Sequence, residues 1–360
     1  MAQIILPVTV LTVCYNHQSY LPSYIDSLRA SQYPIAEIII VDNASDDGSA
    51  AWLAQQPDVT LIANRENIGY SAALNQAIAA ATTPLVCATG PDIVVADDWL
   101  APLIAQYHTD PARIFAVASR SITLDGHEVL SAGGSLHFTG HLCVYEMFAA
   151  VGSCDPTAVQ LVGAIDSTSV LFDREKYQLI GGCDPHFFVY HEEFDYCYRA
   201  RMRDWTCYYH PGSLVRHGSG SAEYSVRSAG AYPRQRPFLH LRNRWLALLK
   251  NYSLATLIII TPMLVVLELA NLFVLWRMGL HSSASAAARW IWAHRREIRA
   301  ARAVIQPTRL RADRDLLSAD PLTITPVVVS SSRAWAAKRL LDLALYLYWH
   351  VARQLLPTRI

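Results

Sequence analysis

Two stretches decide the fold: Val8-Thr-Val-Leu-Thr-Val13 and Glu37-Ile-Ile-Ile-Val-Asp42-Asn43-Ala-Ser-Asp46. Each contains a short, apolar, β-branched run of the kind that forms a buried strand. Between them, Leu21–Ala30 has apolar residues at helical spacing. This order predicts a parallel α/β sheet, and the acidic run after the second strand lies where such sheets bind ligands.

The alternation of predicted strands and helices continues along the chain. A helix is predicted at Ser49–Gln55, a strand at Val59–Ala63, a helix at Ala72–Ala81, and a strand at Leu85–Ala88 before Gly90-Pro91-Asp92. Strands alternating with helices predict a doubly wound, mainly parallel sheet flanked by helices. From Val117 to Val215 the pattern is less regular, with one predicted helix at Glu193–Arg203.

The charge divides the chain in two. Residues 1–226 carry 10 basic and 24 acidic side chains, whereas residues 227–360 carry 20 basic and 6 acidic ones, although the total is neutral. The basic part could meet anionic lipid or nucleic acid, and its long aliphatic runs favour lipid and argue against nucleic acid. We therefore expect a catalytic domain over residues 1–225 and a helical, membrane-associating region over 226–360.

Residues 254–276 are long and apolar enough to cross a bilayer, with Glu268 as their single charge. Basic residues flank both ends, and Pro262 interrupts the run, which favours a re-entrant or interfacial hairpin over a plain crossing. A true span and a buried soluble helix pair remain alternatives. A strongly basic helix is predicted at Arg289–Arg302, and an amphipathic one at Trp335–Leu356.

The seven cysteines form no C-x-x-C pair. An odd number of cysteines, several within apolar runs, indicates free thiols in a reducing cytoplasm and makes a zinc site improbable. The apolar N-terminus has no basic residues ahead of it, so it is interpreted as a first strand and not as a signal peptide.

Five blocks in order carry a family resemblance. They are the two opening stretches, extended to Tyr15-Asn16 and to Gly48-Ser49; Asn64-Arg-Glu-Asn67-Ile-Gly69-Tyr70 through Asn75; Gly181-Gly-Cys-Asp184; His191-Glu-Glu193-Phe-Asp195 through Arg199; and Pro211 through His217-Gly-Ser-Gly-Ser221. Over about residues 7–250 the chain resembles family 2 glycosyltransferases with the GT-A fold. The Asn67-x-Gly69 and Glu-Glu-Phe-Asp variants look most like rhamnosyltransferase-type members of bacterial surface polysaccharide assembly.

The resemblance implies a nucleotide-sugar site, with Asp42 on the nucleobase and Tyr15 near it. A carboxylate at a strand end can also accept hydrogen bonds from a base or ribose, while a helix cap is the plain alternative for Asp42. The residues expected in this site are Thr12, Tyr15, Asn16, Asp42, Asn43, Asn67, Gly69, Asn75, Gly90 and, more weakly, Arg216.

Asp92 matches the last acid of the family's D-x-D motif, which implies a metal ligand, with Mg²⁺ or Mn²⁺ as cofactor. Gly90 replaces the first acid, so the resemblance does not carry over the ribose or water contact that this acid makes in the family. His217 resembles the family's histidine on the loop over the diphosphate and is the second expected ligand. A turn-forming Pro-Asp and a structural histidine are the alternatives.

Glu193 is the expected general base, because an inverting transfer needs a carboxylate to take the acceptor's proton. It aligns with the second member of the family's acidic pair. Two adjacent carboxylates repel, so one of them is expected to have a raised pKa. Glu192 and Asp195 are the other catalytic candidates, and an acidic helix N-terminus is the plain interpretation.

The run Arg242-Asn243-Arg244-Trp245 is similar to the Q-x-x-R-W signature of processive synthases, but Leu241 stands in place of Gln. The chain also lacks the several spans that a translocating synthase needs. We therefore expect transfer of a single sugar. For Arg242 and Arg244, contact with lipid headgroups is as good an interpretation as contact with donor phosphates.

Together these features predict an inverting, metal-dependent glycosyltransferase at the cytoplasmic face of a bacterial inner membrane. The resemblance favours L-rhamnose from dTDP-rhamnose and a lipid-linked or cell-surface polysaccharide acceptor. A UDP-sugar donor (galactofuranose or N-acetylglucosamine) and an inactive membrane scaffold are the alternatives. A nucleotidyltransferase is disfavoured because residues 11–20 contain no Gly, Lys or Arg. Deletion of residues 254–360 is expected to abolish membrane recovery and to preserve nucleotide binding.

Overall fold

A computed structural model describes residues 6–153, 158–220, 234–324 and 331–358. The strands are β1 (Val8–Cys14), β2 (Glu37–Asp42), β3 (Val59–Ala63), β4 (Leu85–Thr89), β5 (Ile93–Val95), β6 (Ile114–Thr123), β7 (Val129–Ser131), β8 (Gly134–Leu136), β9 (Leu142–Val144), β10 (Gln160–Val162), β11 (Ser169–Asp173) and β12 (Thr206–His217). The helices are α1 (Leu21–Arg29), α2 (Ser49–Leu53), α3 (Tyr70–Ala80), α4 (Leu100–Tyr107), α5 (Arg174–Leu179), α6 (Glu192–Met202), α7 (Gln235–Asn251), α8 (Leu254–Arg277), α9 (Ser282–Ala293), α10 (Arg295–Ile305), α11 (Asp313–Leu316) and α12 (Ser332–Leu355). Short 3-10 turns cover Pro185–Phe187 and Gln306–Thr308.

The main sheet has the order β10-β12-β6-β11-β4-β1-β2-β3. Strand β1 pairs in parallel with β2 and β4, and β2 with β3. Strands β1, β4 and most of β2 are buried, as expected for a sheet covered on both faces. The second half is mixed, because β11 runs antiparallel between β4 and β6 while β12 is parallel to β6. The predicted α/β class is confirmed.

The helical region departs from the sequence predictions in two places. The basic segment predicted as one helix is broken, since α9 ends at Ala293 and α10 begins at Arg295. The prediction of a hairpin within residues 254–276 was wrong, because α8 is one continuous helix of 24 residues through Pro262. By length and composition α8 is the one helix among the described residues that could cross a membrane.

The C-terminal half shares its core with the sheet. Ile298, Leu316 and Trp349 belong to the same buried cluster as Tyr198 of α6, and the rings of Trp349 and Phe138 stack with centroids 5.0 Å apart. A polar contact reinforces this junction, because the buried Arg309 donates to the Tyr198 hydroxyl at 3.2 Å. Removing residues 254–360 would therefore expose the core of the α/β part, so that deletion cannot separate membrane binding from nucleotide binding.

The six cysteines within the described residues, which are Cys14, Cys87, Cys143, Cys183, Cys197 and Cys207, are free and buried. Cys154 lies outside the described residues. Burial raises the pKa of the Cys14 thiol to about 12, so this thiol is held in its unreactive, protonated form.

Candidate active site

A cavity of about 320 Å³ opens at the carboxyl edge of β1, β2 and β4. The segments that follow these strands meet there with the N-terminus of α6 and the end of β12. This is the edge at which open α/β sheets bind ligands. Its lining residues are Val13, Tyr15, His17, Asn43, Asn67, Tyr70, Gly90, Pro91, Asp92, Asp166, Ser167, Thr168, Phe188, Val189, Tyr190, Glu192, Glu193 and His217.

Asp42 ends β2 next to Asn43, which lines the cavity, but Asp42 is only 2% exposed and is not among the lining residues. Its Oδ2 accepts a hydrogen bond from the backbone N–H of Ser45 at 3.0 Å. Its Oδ1 is buried and has no hydrogen-bond partner among the described residues. A buried oxygen without a donor is costly unless a ligand satisfies it, so the predicted contact with a nucleobase N–H fits this geometry.

Asn43 and Asn67 line the cavity and are bonded to each other. The amide of Asn43 donates to Asn67 Oδ1 at 2.7 Å, and the same oxygen accepts from the Gly69 backbone at 2.9 Å. Gly69 has a φ of +84°, and a Cβ there would lie 2.5 Å from a ring carbon of Phe188. The Asn67-x-Gly69 pattern therefore shapes the wall of the cavity, and Gly69 permits the close approach of Phe188.

Asp92 and His217 come together on the cavity wall, although 124 residues separate them in the sequence. Asp92 Oδ1 lies 3.3 Å from His217 Nε2, and the second ring nitrogen of His217 lies 3.4 Å from the Thr168 hydroxyl. Carboxylate oxygen and imidazole nitrogen are suitable donors for Mg²⁺ or Mn²⁺. No group of three or more His, Cys, Asp or Glu side chains able to hold a metal occurs in the described ranges. A cation held by Asp92 and His217 would take its other ligands from the substrate and from water.

Gly90 stands where the family has an acid, and its position explains what a side chain there would meet. Its backbone N–H donates to the Thr168 carbonyl at 3.0 Å. A Cβ at Gly90 would lie 3.1 Å from Asp92 Oδ1. The glycine therefore leaves space beside the Asp92 carboxylate.

Two carboxylates, Glu192 and Glu193, enter the cavity at the first turn of α6. Burial, followed by the negative charge of Asp166, raises the pKa of Glu193 to about 7. Burial, followed by the charges of Glu193 and Asp195, raises the pKa of Glu192 well above its ordinary value. Both shifts favour the protonated acids, and Glu193, with its pKa near 7, is poised to accept a proton at neutral pH.

The segment Phe187–Tyr190, which we call the wall segment, is held in place by α7. The fully buried amide of Asn243 donates to three of its carbonyl oxygens, those of Phe187 (2.9 Å), Val189 (2.8 Å) and Tyr190 (2.7 Å). Arg242 donates to Asn243 Oδ1 and to the Phe187 carbonyl, both at 2.8 Å. Arg242 therefore orients the amide that fixes the wall of the cavity.

The wall segment and the residue after it have an unfavourable backbone. Phe188, Tyr190 and His191 adopt φ values of +64°, +72° and +67°, which non-glycine residues rarely adopt. The segment leads directly into Glu192 and Glu193. Its hydrogen bonds to Asn243 compensate this strain and set the direction from which the two carboxylates enter the cavity.

Residues 9–149 match the sequence model described as Glycosyl transferase family 2. The chain carries a family 2 glycosyltransferase domain. An N-acetylglucosaminyl-diphospho-decaprenol L-rhamnosyltransferase from Mycobacterium tuberculosis is 26% identical over 274 residues, which are 69% of this chain and 85% of that enzyme. A poly-beta-1,6-N-acetyl-D-glucosamine synthase from Staphylococcus epidermidis is 24% identical over 213 residues, which cover 58% of this chain and 48% of the synthase. The glycosyltransferase thus spans about half the length of that synthase.

Solved structures show the same fold. TarS 1-349 of S. aureus in complex with UDP superposes with a TM-score of 0.51 and 12% identity, over 97% of this chain and 92% of that one. Mannosyltransferase PcManGT from Pyrobaculum calidifontis, in complex with GDP-Man and Mn2+, superposes with a TM-score of 0.50 and 16% identity. The match covers 97% of this chain and 87% of that one. GalNAc-T7 with UDP, GalNAc and Mn2+ superposes with a TM-score of 0.52 and 17% identity, over 68% of this chain and 48% of that one. These likenesses show the fold, whereas the family match over residues 9–149 and the rhamnosyltransferase relative confirm the predicted family and enzyme class.

Four residues expected in the nucleotide-sugar site of the glycosyltransferase lie elsewhere. The Thr12 hydroxyl is buried against Tyr24 of α1 and Thr89. Asn75 binds the backbone of Cys183, Asn16 accepts from the Asp46 backbone, and Arg216 donates to the Leu124 carbonyl at 3.2 Å. None of the four lines the cavity. Val13 lines the cavity and Thr12 does not, because alternate residues of a strand point to opposite faces of the sheet.

Asp195 also lies outside the cavity and is fully buried. It pairs with Arg199 at 2.5 Å and Lys250 at 3.2 Å, and it accepts from the Asn251 amide at 2.8 Å. Burial works to raise the pKa of Asp195, but the charges of Arg199 and Lys250 hold it below its ordinary value. Asp195 therefore joins α6 to α7, and in this structure it is not placed to act as a base.

Arg242 and Arg244 are only 6% and 1% exposed, so the interpretation as lipid headgroup contacts was wrong. Arg244 donates to the Thr139 carbonyl at 2.9 Å and pairs with Glu268 of α8. The same Glu268 accepts from the Trp245 ring at 2.9 Å. The charge within α8 thus serves to attach that helix to α7.

The sequence interpretation missed His17 and Asp166, both of which line the cavity. Burial lowers the pKa of His17, although the nearby Asp92 acts in the opposite direction. Asp166 Oδ1 accepts from the Thr168 backbone at 2.8 Å. His17 directly follows Tyr15-Asn16 and could have been included on that ground, whereas Asp166 lies in the irregular region and gave no signal.

Proposed function

We propose that this glycosyltransferase is an inverting, metal-dependent enzyme that transfers one sugar to a lipid-linked saccharide at the cytoplasmic face of the membrane. The observation that carries the proposal is that Glu193, Asp92 and His217 all line one cavity, with the Asp92 carboxylate 3.3 Å from the His217 ring. A carboxylate able to act as the base and a pair able to hold a cation, within one cavity, are two of the groups that a metal-dependent transfer needs.

The proposed step is a single displacement. Glu193 takes the proton of the acceptor hydroxyl while the hydroxyl oxygen attacks the anomeric carbon, and the bond from that carbon to the diphosphate oxygen breaks. The buried acceptor Oδ1 of Asp42 would hold the nucleobase. A divalent cation at Asp92 and His217 would neutralise the charge that develops on the leaving diphosphate.

The donor is proposed to be dTDP-L-rhamnose, and the support is the mycobacterial relative, whose name describes L-rhamnose transfer to a diphospho-decaprenol acceptor. A UDP-sugar is the second candidate. It is supported by the N-acetylglucosamine polymer synthase relatives and by the neighbouring structures that contain UDP. An inactive scaffold is disfavoured because the carboxylates that an active enzyme needs are present in the cavity.

The test is donor hydrolysis by the purified protein, with Mg²⁺ or Mn²⁺, across dTDP-, UDP- and GDP-sugars. We expect slow, metal-dependent release of dTDP from dTDP-rhamnose. Asp92→Asn should reduce it at least about tenfold, because the amide is a weaker metal ligand than a carboxylate. Release of UDP alone would assign the second candidate, and absence of both hydrolysis and nucleotide binding would favour the scaffold.

Membrane contact is proposed to occur through the exposed apolar faces of α8 and α12. Ile258 on α8 and Val351 on α12 are 73% and 68% exposed. The double variant Ile258→Glu/Val351→Glu should sediment with lipid vesicles severalfold less than the unaltered protein, because charged side chains are costly in an apolar bilayer. Leu161→Glu is the matched control, since Leu161 is 64% exposed on β10. An equal loss of vesicle binding in the double variant and the control, or no loss in either, would contradict membrane contact through this surface.

A further inference from the structure

A groove of about 690 Å³ lies between α7, α8, α9 and α10, outside the cavity described above. Leu241 and Trp245 of α7 form one wall, and Leu272 of α8 and Ile291 of α9 contribute to the others. A second apolar hollow of about 310 Å³ lies between α7 and α8, and it shares Trp245 and Glu268 with the groove. Together they form an apolar surface interrupted by the Trp245–Glu268 hydrogen bond.

The rim of the groove on α10 is cationic. Arg295 and Arg299 are four residues apart on this helix and therefore lie on the same face. Arg295 stacks over the Trp292 ring at 4.5 Å and donates to the Trp292 carbonyl. Neither guanidinium pairs with a carboxylate among the described residues, and Glu268, which also lines the groove, is paired with Arg244. The rim is thus suited to bind an anion.

The apolar part of the groove adjoins the exposed surface of α8. Leu272 lines the groove, and its neighbours Leu269, Phe273 and Trp276 on α8 are 62%, 62% and 64% exposed. Trp292 at the cationic rim is 70% exposed. Exposed Trp near an apolar face is typical of the boundary between lipid and water. A ligand of this groove would need one apolar end and one anionic end.

Helix α7 lies between the groove and the wall segment. Leu241 and Trp245 face the groove, whereas Asn243 binds the wall segment. Arg242 connects the two sides, since it stacks on Trp290 of α9 at 4.8 Å and donates to the Phe187 carbonyl. An α-helix with its side chains is about 10–12 Å across, so the groove is roughly one helix diameter from the cavity.

We infer that this groove binds the isoprenoid diphosphate of the acceptor, with the chain between α7, α8 and α9 and the diphosphate at Arg295 and Arg299. The inference rests on the proposed function, because it takes the acceptor to be a lipid-linked diphosphate. It adds the site where the lipid is held. The two anionic phosphates match the unpaired guanidinium groups, and the isoprenoid chain matches the apolar walls.

The experiment measures equilibrium binding of radiolabelled farnesyl diphosphate to the full-length protein in phosphatidylcholine nanodiscs. EDTA is present so that the diphosphate cannot bind through a metal in the cavity. Arg295→Gln/Arg299→Gln removes the cationic rim, and Ala288→Trp fills the groove from α9. Arg296→Gln and Ala300→Trp are the matched controls, because both residues are exposed on α10 and neither lines the groove.

We expect both groove variants to weaken farnesyl diphosphate binding at least tenfold and both controls to leave it within twofold. Farnesol and pyrophosphate should each compete poorly, because each has only one of the two ends. Three results would overturn the inference: no binding to the unaltered protein, equal binding by groove variants and controls, or equal competition by phosphatidylglycerol, which would indicate a general lipid phosphate site.

Donor hydrolysis is measured on the same proteins in the absence of acceptor, with metal restored. We expect the groove variants to hydrolyse the donor at the unaltered rate, because the groove lies outside the cavity. Loss of farnesyl diphosphate binding with normal hydrolysis thus supports the groove alone. If no donor is hydrolysed by any protein, the proposed function fails. The binding result still shows whether the groove binds an isoprenoid diphosphate.

Discussion

The Glu193→Gln enzyme is expected to transfer sugar about 10³-fold more slowly than the unaltered enzyme, because a positioned general base typically contributes 10²–10⁴-fold. The amide keeps the shape of the side chain but cannot accept the proton. The measurement is nucleotide release with acceptor present, using the donor selected in the hydrolysis panel. Glu192→Gln is the matched control and should stay within about tenfold, since burial favours the protonated form of Glu192 and an amide resembles a protonated acid.

The pH dependence provides an independent test. Because the pKa of Glu193 is raised to about 7, kcat/KM should rise as the pH increases through this value and level off once the carboxylate is ionised. This rise of kcat/KM through pH 7 should be absent from the residual activity of Glu193→Gln and retained in Glu192→Gln. A Glu193→Gln enzyme with unchanged turnover and the same rise would assign the base elsewhere in the cavity.

The same raised pKa predicts a gain in stability. A carboxyl group with a raised folded-state pKa contributes stability that is present below its unfolded pKa and is lost as the pH rises through about 7. Glu193→Gln removes the buried charge, so its Tm at pH 8 should equal or exceed that of the unaltered protein. Inactivity together with an undiminished Tm would exclude misfolding as the cause.

The Asn243→Leu enzyme is expected to lose at least about 100-fold in kcat/KM and to melt at a lower temperature. The Val189 and Tyr190 carbonyls would lose the amide donor, at a cost of about 1–3 kcal/mol for each one left buried and unsatisfied, whereas the Phe187 carbonyl keeps its bond from Arg242. The unfavourable backbone of Phe188, Tyr190 and His191 could then relax, and Glu192 and Glu193 would no longer be directed into the cavity.

Nucleotide binding distinguishes this positioning effect from a general loss of structure. The Kd for dTDP should change little in Asn243→Leu, because Asp42, at the end of β2, has its hydrogen bond with Ser45 and none with the wall segment. Asn251→Leu is the matched control: Asn251 is equally buried on α7 but binds Asp195 instead of the wall segment. It should lower Tm while retaining most of the activity per folded molecule. Similar activity in both variants would show that Asn243 has no positioning role.

The parts of this site that could be predicted from the sequence follow an apolar run or a recognisable block. Asp42 and Asp92 follow strands, and Glu192-Glu193 opens a helix, so each was placed near the sheet edge by local pattern alone. Asp195 belongs to the same block but faces α7, because residues two apart on a helix do not share a face. Motif spacing gives the element and leaves the direction of the side chain undetermined.

The parts that were missed depend on long-range pairing. Strand β11 runs antiparallel between β4 and β6, and this arrangement brings Asp166 to the cavity from a region with no regular pattern. Asn243 belongs to the Arg242–Trp245 run, yet its role depends on contacts with carbonyl oxygens 53 to 56 residues earlier. Backbone acceptors have no sequence signature, so no reading of residue types would have found this contact.

The shared core has a consequence for engineering. Ile298, Leu316 and Trp349 pack in one cluster with the α/β part, and Arg309 reaches the Tyr198 hydroxyl. A chimera of two glycosyltransferases joined between residues 225 and 226 would bring together buried surfaces that do not pack closely against each other. Poorly packed cores lose stability. Acceptor preference in this enzyme should therefore be exchanged by grafting surface residues of α9 and α10, and recombining whole halves should yield insoluble protein.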